Sequence, residues 1–412
     1  MGHSGCRWCG AELYAELVDL GMSPLCETFL TADQLNQAER FYPLRVFICD
    51  RCFLVQMPQY VSPEDIFSAE YSYFSSYSDS WLRHAKKFAD GMVARLQLSP
   101  SSQVVEIGSN DGYLLQYFAE RRIPVLGVEP AEGVARAAEG KGVPTIKRFF
   151  NRRTASELVE AGLRADLLVA NNVVPHVPQL ADFIEGVRVI LKPAGVLSME
   201  FPYVLRLLAG NQFDTIYHEH LSYFSFHAVE RMLAAHHMAV FDVEELRSHG
   251  GSLRLYACHA GDRSKPMSDR VSMLRGEEGA AGVTTLQYYA SFKKRVRDVK
   301  HQLLEFLIKA KRAGKSMAGY GAPGKGNTLL NYCGIRTDFL DYLVDRNPVK
   351  HHKYTPGTHI PIHPVETIGA TKPDYLLILP WNLTEEITQQ MAYIREWGGR
   401  FVVPIPTVQV IP

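Results

Sequence analysis

The stretch at residues 104–115 constrains the fold more than any other part of the sequence. Apolar residues around Glu106 predict a short buried strand, and a glycine-bounded turn at 108–112 follows it. An apolar periodic run then predicts a helix. A strand, a glycine turn and a helix begin a doubly wound α/β unit, in which ligands bind at the carboxyl ends of the strands.

The acidic residues around this turn indicate the kind of ligand. Gly108 lets the backbone approach a nucleoside closely, and the Glu-x-Gly pattern from Glu106 differs from the Gly-x-Gly-x-x-Gly of pyrophosphate sites. A carboxylate there suits a cationic ligand such as S-adenosylmethionine, which carries a sulfonium and an ammonium group. The next strand, at 125–128, ends at Glu129, near the spacing at which an acid takes ribose hydroxyls. The alternative is an ordinary βα turn with a solvated acid.

Length and charge bound the domain count and the class of partner. The chain has 412 residues, too many for one core, so two or three domains are expected. Lys+Arg and Asp+Glu are equal at 44 each, so no basic excess points to nucleic acid or anionic lipid. No apolar run reaches transmembrane length, and the N-terminus lacks a signal peptide's apolar region. We expect a cytoplasmic monomer or weak homodimer with no nucleic-acid or membrane partner.

Cysteine spacing predicts a metal site near the N-terminus. Cys6 and Cys9 form one Cys-x-x-Cys pair, and Cys49 and Cys52 form another. Each pair can place two thiolates on one ion, and four thiolates make a closed, structural zinc site. The odd total of 7 cysteines also indicates a reducing compartment rather than disulfides. The alternatives are buried or redox-active cysteines, with Cys26 as a competing ligand.

Strands and helices alternate from about residue 85 to 250, which implies a mostly parallel sheet covered on both faces. Strands are predicted at 104–107, 125–128, 145–147, 166–170 and 196–200, with a turn at 193–195. The fourth strand leads to Asn171, Asn172 and His176, which we expect at the same rim as the glycine turn. The predicted cofactor-binding residues are Glu106, Gly108, Asn110, Asp111, Glu129, Asn171 and Asn172.

A cluster of ionisable and aromatic groups follows at 217–220, with the sequence Tyr-His-Glu-His. The spacing is not His-Glu-x-x-His, so it excludes that class of metalloprotease. In an extended segment, alternation turns Tyr217 and Glu219 to one side and His218 and His220 to the other. A histidine titrates near neutrality, which suits a general base. The alternative is an aromatic loop that plugs the edge of the sheet.

The C-terminal part is predicted to be a second α/β unit. A long amphipathic helix is predicted at 287–311, and Gly319 and Gly324 then frame a formal Gly-x-Gly-x-x-Gly turn. The strand at 340–344 ends at Asp345, where the ribose-binding acid of a dinucleotide fold lies. One interpretation is therefore an NAD-dependent oxidoreductase or epimerase. The last strand is predicted at 401–404.

These motifs occur in an order that resembles a known family. The two cysteine pairs, Glu-Ile-Gly-Ser-Asn-Asp-Gly at 106–112, Tyr-His-Glu-His at 217–220, His-Gly-Gly-Ser at 249–252 and Gly-Tyr-Gly-Ala at 319–322 carry the likeness. Together they resemble the S-adenosylmethionine-dependent C-methyltransferases that act on nucleotide-linked keto-deoxysugars. The resemblance implies a zinc-binding domain at 1–70, a class I methyltransferase domain with a doubly wound α/β sheet at 71–285, and a Rossmann-like substrate-binding domain at 286–412.

The resemblance also implies residue roles. His220 corresponds to the family's catalytic base, and Tyr217 and Glu219 correspond to the tyrosine and glutamate of the same motif. His218 stands where the family has Asp, so both histidines are open as the base. The predicted catalytic residues are His220, Glu219, Tyr217, Tyr73 and His176, with Tyr71 as the other option for the tyrosine of the aromatic linker.

The substrate is expected between the second and third domains. The glycine-rich amides and Lys325 are expected to take the diphosphate of the substrate, as the resemblance implies. The predicted substrate-binding residues are Tyr203, Gly321, Ala322, Lys325 and Asn327. The aromatic linker is the segment at 71–77, which is rich in aromatic and hydroxyl groups. The alternative interpretation is that it is only a packed connection between domains.

The expected activity is C-methylation, which makes the protein a transferase of class EC 2.1.1. A base removes the proton from a carbon next to a ketone, such as C3 of a dTDP- or other NDP-4-keto-deoxysugar, and that carbon takes the methyl group of S-adenosylmethionine. Tyr217, Asn172 or His176 are expected to donate to the enolate oxygen. The alternatives are a methyltransferase for a non-sugar ketone or hydroxyl, the NAD enzyme above, and a non-catalytic zinc scaffold.

Overall fold

The protein is an α/β molecule, as predicted. In the computed structural model, the described residues, 5–67 and 73–412, form three β-sheets flanked by helices. Tyr71, the other option for the tyrosine of the aromatic linker, lies outside the described residues. Within the described part of the chain, none of the helices has the length and apolar character needed to cross a membrane.

The N-terminal elements are short and mostly extended. They are β1 (Ala15–Ser23), β2 (Tyr42–Ile48), β3 (Val55–Gln56) and α1 (Pro63–Ile66). The strands pair antiparallel in the order β1-β2-β3. The cysteine pairs flank this sheet, because Cys6 and Cys9 precede β1 while Cys49 and Cys52 lie between β2 and β3.

The middle of the chain alternates strands and helices. Its elements are α2 (Asp79–Leu96), β4 (Val104–Ile107), α3 (Leu115–Ala119), β5 (Val125–Val128), α4 (Glu132–Gly140), β6 (Thr145–Ile146), α5 (Arg152–Glu160), β7 (Ala165–Asn171), α6 (Leu180–Ile190), β8 (Leu191–Pro202), α7 (Val204–Ala209), β9 (Ser222–Tyr223), α8 (Phe226–Ala235), β10 (Met238–Leu246), β11 (Ser252–His259), α9 (Asp269–Ala281) and α10 (Leu286–Tyr289).

The middle sheet places the predicted rim. Its order is β10-β11-β8-β7-β4-β5-β6, with β4 to β8 parallel and with β10 and β11 antiparallel. Every residue of β4 is buried, which explains why all of its residues except Glu106 are apolar. Because the parallel strands end at one edge, the loops after β4, β5, β7 and β8 gather there.

The C-terminal part is a second, mainly parallel sheet. Its elements are α11 (Phe292–Arg312), β12 (Met317–Tyr320), α12 (Gly324–Cys333), β13 (Leu343–Val344), β14 (Ile362–His363), α13 (Thr367–Thr371), β15 (Tyr375–Ile378), α14 (Thr384–Gln390), β16 (Arg400–Val403) and β17 (Gln409–Ile411). The order β14-β13-β12-β15-β16-β17 has β17 antiparallel and the other pairings parallel. This arrangement confirms the predicted Rossmann-like unit.

Three predicted details are wrong. The turn expected at 193–195 is an irregularity inside β8, where the pairing with β7 shifts between Ala165 and Leu167. The helix expected at 287–311 is divided into α10 and α11. The segment at 401–404 is not the last strand, because β17 follows it and pairs with β16.

Candidate active site and zinc site

The cysteines predicted as metal ligands converge on one point. Their Sγ atoms all lie within 4.8 Å of one another, with Cys6 and Cys52 3.5 Å apart and Cys9 and Cys49 3.5 Å apart. Zinc bonds of about 2.3 Å in a tetrahedron hold sulfur atoms about 3.8 Å apart. The four thiols therefore fit a closed structural zinc ion, which leaves no open position for a reactant.

The two cysteine knuckles close by the same turn. The amide of Gly10 donates to the Cys6 carbonyl oxygen at 2.9 Å, and the amide of Phe53 donates to the Cys49 carbonyl oxygen at 3.0 Å. Gly10 has φ of 74° and Phe53 has φ of 57°, so the residue after each second cysteine is left-handed. This turn aims both thiols of a pair at the same ion.

A cavity of about 940 Å³ opens at the carboxyl edge of the middle sheet. Gly108, Asn110 and Glu129 line its cofactor-domain side, together with the ends of β7 and β8. Lys325 and Lys350 line it from the C-terminal sheet. The cavity therefore lies between two α/β units, each of which presents the carboxyl ends of parallel strands.

The turn after β4 is shaped for a close ligand. Gly108 has φ of 64°, and a Cβ built on it lies 2.6 Å from Cγ2 of Val173. Glu129 accepts hydrogen bonds from the amides of Asn110 at 3.0 Å and Ala131 at 2.9 Å, which fixes its carboxylate at the rim. Burial raises the pKa of Glu129 to about 7.

Asparagine side chains at the end of β7 are poised for a bound group. Within the described residues, the Oδ1 atoms of Asn171 and Asn172 are buried without a hydrogen-bond partner. Nδ2 of Asn172 lies 3.1 Å from Nε2 of His249. These two buried oxygens are hydrogen-bond acceptors that lack a donor in the described part of the chain. A nucleoside-bearing cation such as S-adenosylmethionine fits this edge, because its ammonium and hydroxyl groups can donate to them.

The histidine at 220 is held as a neutral base. Its Nδ1 lies 2.9 Å from the carbonyl oxygen of Thr215, which only accepts, so Nδ1 carries the proton. Nε2 then carries the lone pair, which accepts a hydrogen bond from the Tyr217 hydroxyl at 2.9 Å. Burial lowers the pKa of His220 well below its usual value, so the imidazole is neutral at physiological pH.

Further titratable groups surround His220. The His176 ring lies 4.8 Å from it, and burial lowers the pKa of His176 to about 4. Burial, followed by the charge of Glu27, raises the pKa of Glu219 to about 8. The thiol of Cys26 donates to Glu219 at 3.6 Å. Acids that retain protons and bases that release them are typical of sites for proton transfer.

Comparison with known proteins assigns this architecture to a family. Family models match residues 6–67 ("Putative zinc binding domain"), 81–241 ("Methyltransferase domain") and 247–406 ("C-methyltransferase C-terminal domain"). The C-methyltransferase NovU of Streptomyces niveus is 35% identical over 406 residues, which cover 98% of this chain and 96% of NovU. The chain belongs to this family of C-methyltransferases. It is a zinc-binding, S-adenosylmethionine-dependent methyltransferase with a class I methyltransferase domain.

Two more distant relatives match parts of the chain. The ubiquinone biosynthesis O-methyltransferase of Methylobacterium sp. (strain 4-46) is 37% identical over 97 residues, 23% of this chain and 38% of that protein. The crystal structure of magnesium protoporphyrin IX methyltransferase from Synechocystis PCC 6803 with bound S-adenosylhomocysteine has a TM-score of 0.35 and 14% identity, over 43% of this chain and 83% of that chain.

Most of the predicted site residues line the cavity of this C-methyltransferase. Those that line it are Tyr73, Gly108, Asn110, Glu129, Asn171, Asn172, His176, Tyr217, Glu219, His220 and Lys325. Tyr73 is 44% exposed and its carbonyl oxygen accepts from Nδ2 of Asn110, which places it at the mouth. His220 and Glu219 line the same cavity, so the prediction that alternation separates them is wrong.

The separation fails because residues 217–220 form a turn rather than an extended segment. The amide of His220 donates to the carbonyl oxygen of Tyr217 at 2.9 Å. His218 turns away from the cavity and packs edge-on against Tyr42 and Tyr60, where its Nε2 lies 3.2 Å from the Pro43 carbonyl oxygen. Of the two histidines, His220 is therefore the one with access to the cavity.

Three predicted residues of the middle domain do not line the cavity. Glu106 is buried within β4, where both of its carboxylate oxygens lack a hydrogen-bond partner among the described residues, and burial raises its pKa well above the usual value. Asp111 accepts from Nζ of Lys141 at 3.0 Å. The hydroxyl of Tyr203 donates to Glu278 at 2.7 Å, so the ring lies in the core behind the rim. The contacts of Asp111 and Tyr203 lie within the protein.

Polar groups of the glycine-rich loop after β12 also form hydrogen bonds within the protein. The amide of Gly321 donates to Val344, and the amide of Ala322 donates to Asp345. Nδ2 of Asn327 donates to the Cys26 carbonyl oxygen. The amides of Gly321 and Ala322, expected to bind diphosphate, and Nδ2 of Asn327, predicted to bind substrate, are therefore engaged within the protein.

Lys325 remains at the cavity, held by neighbouring polar and aromatic groups. Its Nζ donates to Oδ1 of Asn382 and lies 4.6 Å from the ring centroid of Trp381. Burial lowers the pKa of Lys325, while the charge of Asp214 opposes that shift. Lys325 is therefore a partly buried donor that lines the cavity between the domains.

Sequence reasoning missed several residues at this cavity. Cys26 and Glu27, from the N-terminal domain, line it beside Lys350. Nζ of Lys350 donates to the Ala322 carbonyl oxygen at 2.8 Å and lies 3.4 Å from Glu27. His249 was singled out only as part of the His-Gly-Gly-Ser motif, and its left-handed φ of 52° places it at the rim. The other residues lie in no motif that marks them.

Proposed function

We propose that the protein methylates a carbon next to the ketone of a nucleotide-linked deoxysugar, with C3 of an NDP-4-keto-deoxysugar as the acceptor. The observation that carries this proposal is the hydrogen-bonded arrangement of His220, a residue that lines the cavity and whose unprotonated Nε2 accepts from the Tyr217 hydroxyl. Transfer to carbon requires removal of a C–H proton, and a neutral imidazole held at fixed geometry suits that step. The resemblance of the motifs to keto-deoxysugar enzymes supports the substrate class.

The residues of the site divide the reaction between them. S-adenosylmethionine, when bound, supplies an electrophilic methyl group. His220 accepts the proton of the acidic carbon at Nε2, and the electrons of that C–H bond move toward the carbonyl oxygen. The Nδ1–H bond to Thr215 keeps the imidazole in the tautomer that can accept a proton. The carbon then bonds to the methyl group as the carbon–sulfur bond breaks.

Hydrogen-bond donors near His220 stabilise the oxygen of the enolate. The Tyr217 hydroxyl donates a hydrogen bond to Nε2 of His220 in this structure. Rotation about the C–O bond directs the same proton to the enolate oxygen. Asn172 and His176 line the same part of the cavity and are the other donors. Burial raises the pKa of Tyr217 well above its usual value, so the phenol keeps its proton for donation.

The nucleotide end is assigned to the C-terminal side of the cavity. Lys350 is buried there and Lys325 is partly buried, and charged hydrogen bonds to phosphate are stronger than neutral ones. We retain the division at 1–70, 71–285 and 286–412 as part of this proposal. In this proposal Lys350 contacts the diphosphate in place of the amides of Gly321 and Ala322.

Matched histidine variants test the assignment. His220→Asn is expected to lower turnover by about 10²- to 10⁴-fold because the base is lost. His218→Asn is the control, because His218 faces Tyr42 and Tyr60 outside the cavity. Both variants should bind S-adenosylmethionine as the wild type does in calorimetry. Near-normal turnover of His220→Asn across a panel of keto-sugar nucleotides and non-sugar ketones contradicts the role.

The NAD interpretation is not retained. A Cβ on Gly324 at the start of α12 lies 2.8 Å from Cys26 Sγ and 3.2 Å from Glu27 Oε1. In a dinucleotide fold, the pyrophosphate occupies this helix N-terminus. Here the Cys26 thiol and the Glu27 side chain of the N-terminal domain occupy that position, so the helix N-terminus has no room for a pyrophosphate.

A further inference from the structure

The loop that carries His220 is part of the zinc domain's sheet. Gln56 on β3 pairs with Ser222 on β9, and Val55 pairs with Tyr223. The amide of Met57 also donates to the Leu221 carbonyl oxygen at 3.0 Å. The backbone directly after the catalytic histidine is therefore hydrogen-bonded to the N-terminal domain.

Gln56 joins that backbone to the metal-binding cysteines. Its Nε2 donates to Sγ of Cys6 at 3.0 Å, and its Oε1 accepts from the amide of Arg7 at 2.7 Å. Its exposed fraction is 2%, so water does not replace either contact. Arg7 adds a second link, because its Nη2 donates to the Met57 carbonyl oxygen at 2.9 Å.

The other side of the loop is fixed by the cofactor domain. The amide of Leu221 donates to the carbonyl oxygen of Pro175 at 2.7 Å, next to His176. Leu221 is thus held through its amide by the edge of the middle sheet and through its carbonyl by the zinc domain. His220 is the preceding residue, so its ring orientation depends on both attachments.

We propose that Gln56 is a positioning residue for methyl transfer, which holds the His220 loop against the zinc-bound Cys6 knuckle. The proposal rests on the proposed role of His220 as the base. Groups that hydrogen-bond to metal ligands orient those ligands, and here the same side chain also sits on the strand that pairs with β9. The zinc site therefore fixes catalytic geometry at a distance, although it has no open position for a reactant.

The variant Gln56→Met tests this role, because Met has similar length but neither donor nor acceptor. With zinc content equal to the wild type, kcat should fall by about 10- to 100-fold, as for other groups that support metal ligands. Calorimetric affinity for S-adenosylmethionine should stay unchanged. Gln59→Met is the matched control, because Gln59 is exposed and bonds only to the Val61 carbonyl oxygen within the described residues.

Amide hydrogen exchange separates positioning from a general loss of structure. Gln56→Met should speed exchange at 217–223 and leave exchange at 104–112 unchanged. Equal kcat in the zinc-loaded variant, or equal loss of protection in both segments, overturns the proposal. Gln56→Glu separates the contacts, because it retains the acceptor for Arg7 and loses the donor to Cys6; it should lower kcat with S-adenosylmethionine affinity unchanged.

Zinc removal from the wild-type protein gives a test that needs no variant to fold. A chelator should speed exchange at 217–223 while S-adenosylmethionine still binds, and protection at 217–223 that survives zinc loss overturns the proposal. Exchange and calorimetry require no sugar substrate. An active His220→Asn variant therefore refutes the proposed base, whereas an unaltered 217–223 segment refutes the role of Gln56.

Discussion

Burial sets the charge state of the individual groups at this site. It raises the pKa of Glu219 to about 8 and of Glu129 to about 7, and it lowers the pKa of His176 to about 4. The acids therefore retain protons near neutrality, and the histidine is uncharged. A low-dielectric cavity of this kind strengthens every remaining hydrogen bond to a developing charge.

The ionisation of Glu129 predicts how cofactor affinity depends on pH. Its folded pKa of about 7 means that it is mostly protonated at pH 6 and mostly a carboxylate at pH 8. Ribose hydroxyls donate to the carboxylate, so S-adenosylmethionine should bind about tenfold more tightly at pH 8 than at pH 6. Titration calorimetry measures this, and Glu129→Gln should remove the dependence. A wild-type affinity that is the same at both values contradicts the assignment.

At the residue scale, the sequence predicted most of its site residues at positions that line the cavity, but it did not separate them from residues with partners inside the protein. Glu129 and Asn172 lie at the cavity as predicted, because they follow strands whose ends share one edge, and His220 lies there in the loop before β9. Tyr203 and Asn327 do not, because their partners lie 75 and 301 residues away in the chain. Local motifs carry no information on such distant partners.

The turn between β4 and α3 is the element on which the cofactor site depends most. Gly108 combines a left-handed φ of 64° with a contact that leaves no room for a Cβ beside Val173. Both constraints exclude side chains, so this glycine is required by geometry rather than by flexibility.

Alanine at this turn provides the prediction at the element scale. Gly108→Ala should lower the free energy of unfolding by about 1–3 kcal/mol and weaken S-adenosylmethionine binding, because strain and overpacking add. Gly91→Ala in α2 is the control, since its Cβ meets nothing within 4 Å; it should raise the free energy of unfolding by about 0.5–1 kcal/mol. Urea denaturation measures both, and equal stability of the two variants contradicts the account.

Elements with strong periodicity were predicted closely, and short ones were not. β4 and β5 match their predicted bounds, because buried parallel strands give continuous apolar runs. β3 and β9 have two residues each, too few to produce a pattern. Their pairing joins segments more than 160 residues apart, so the link between zinc domain and catalytic loop emerged only from the structure.

At the scale of the whole molecule, the cavity is a product of all three parts. The middle sheet supplies the cofactor edge, the C-terminal sheet supplies Lys325 and Lys350, and the N-terminal domain supplies Cys26 and Glu27. Cysteine spacing and the α/β patterns predicted the parts. Their mutual packing depends on isolated contacts such as Glu27 with Lys350 at 3.4 Å, which no sequence motif marks.

The central claim, that His220 removes a proton from the acceptor carbon, is tested most directly without methyl transfer. A keto-sugar nucleotide that the enzyme methylates is incubated in D2O with S-adenosylhomocysteine, and mass spectrometry measures deuterium at the carbon next to the ketone. Wild type and His218→Asn should both incorporate deuterium, and His220→Asn should incorporate none above the rate without enzyme. Incorporation by His220→Asn at the wild-type rate contradicts the account.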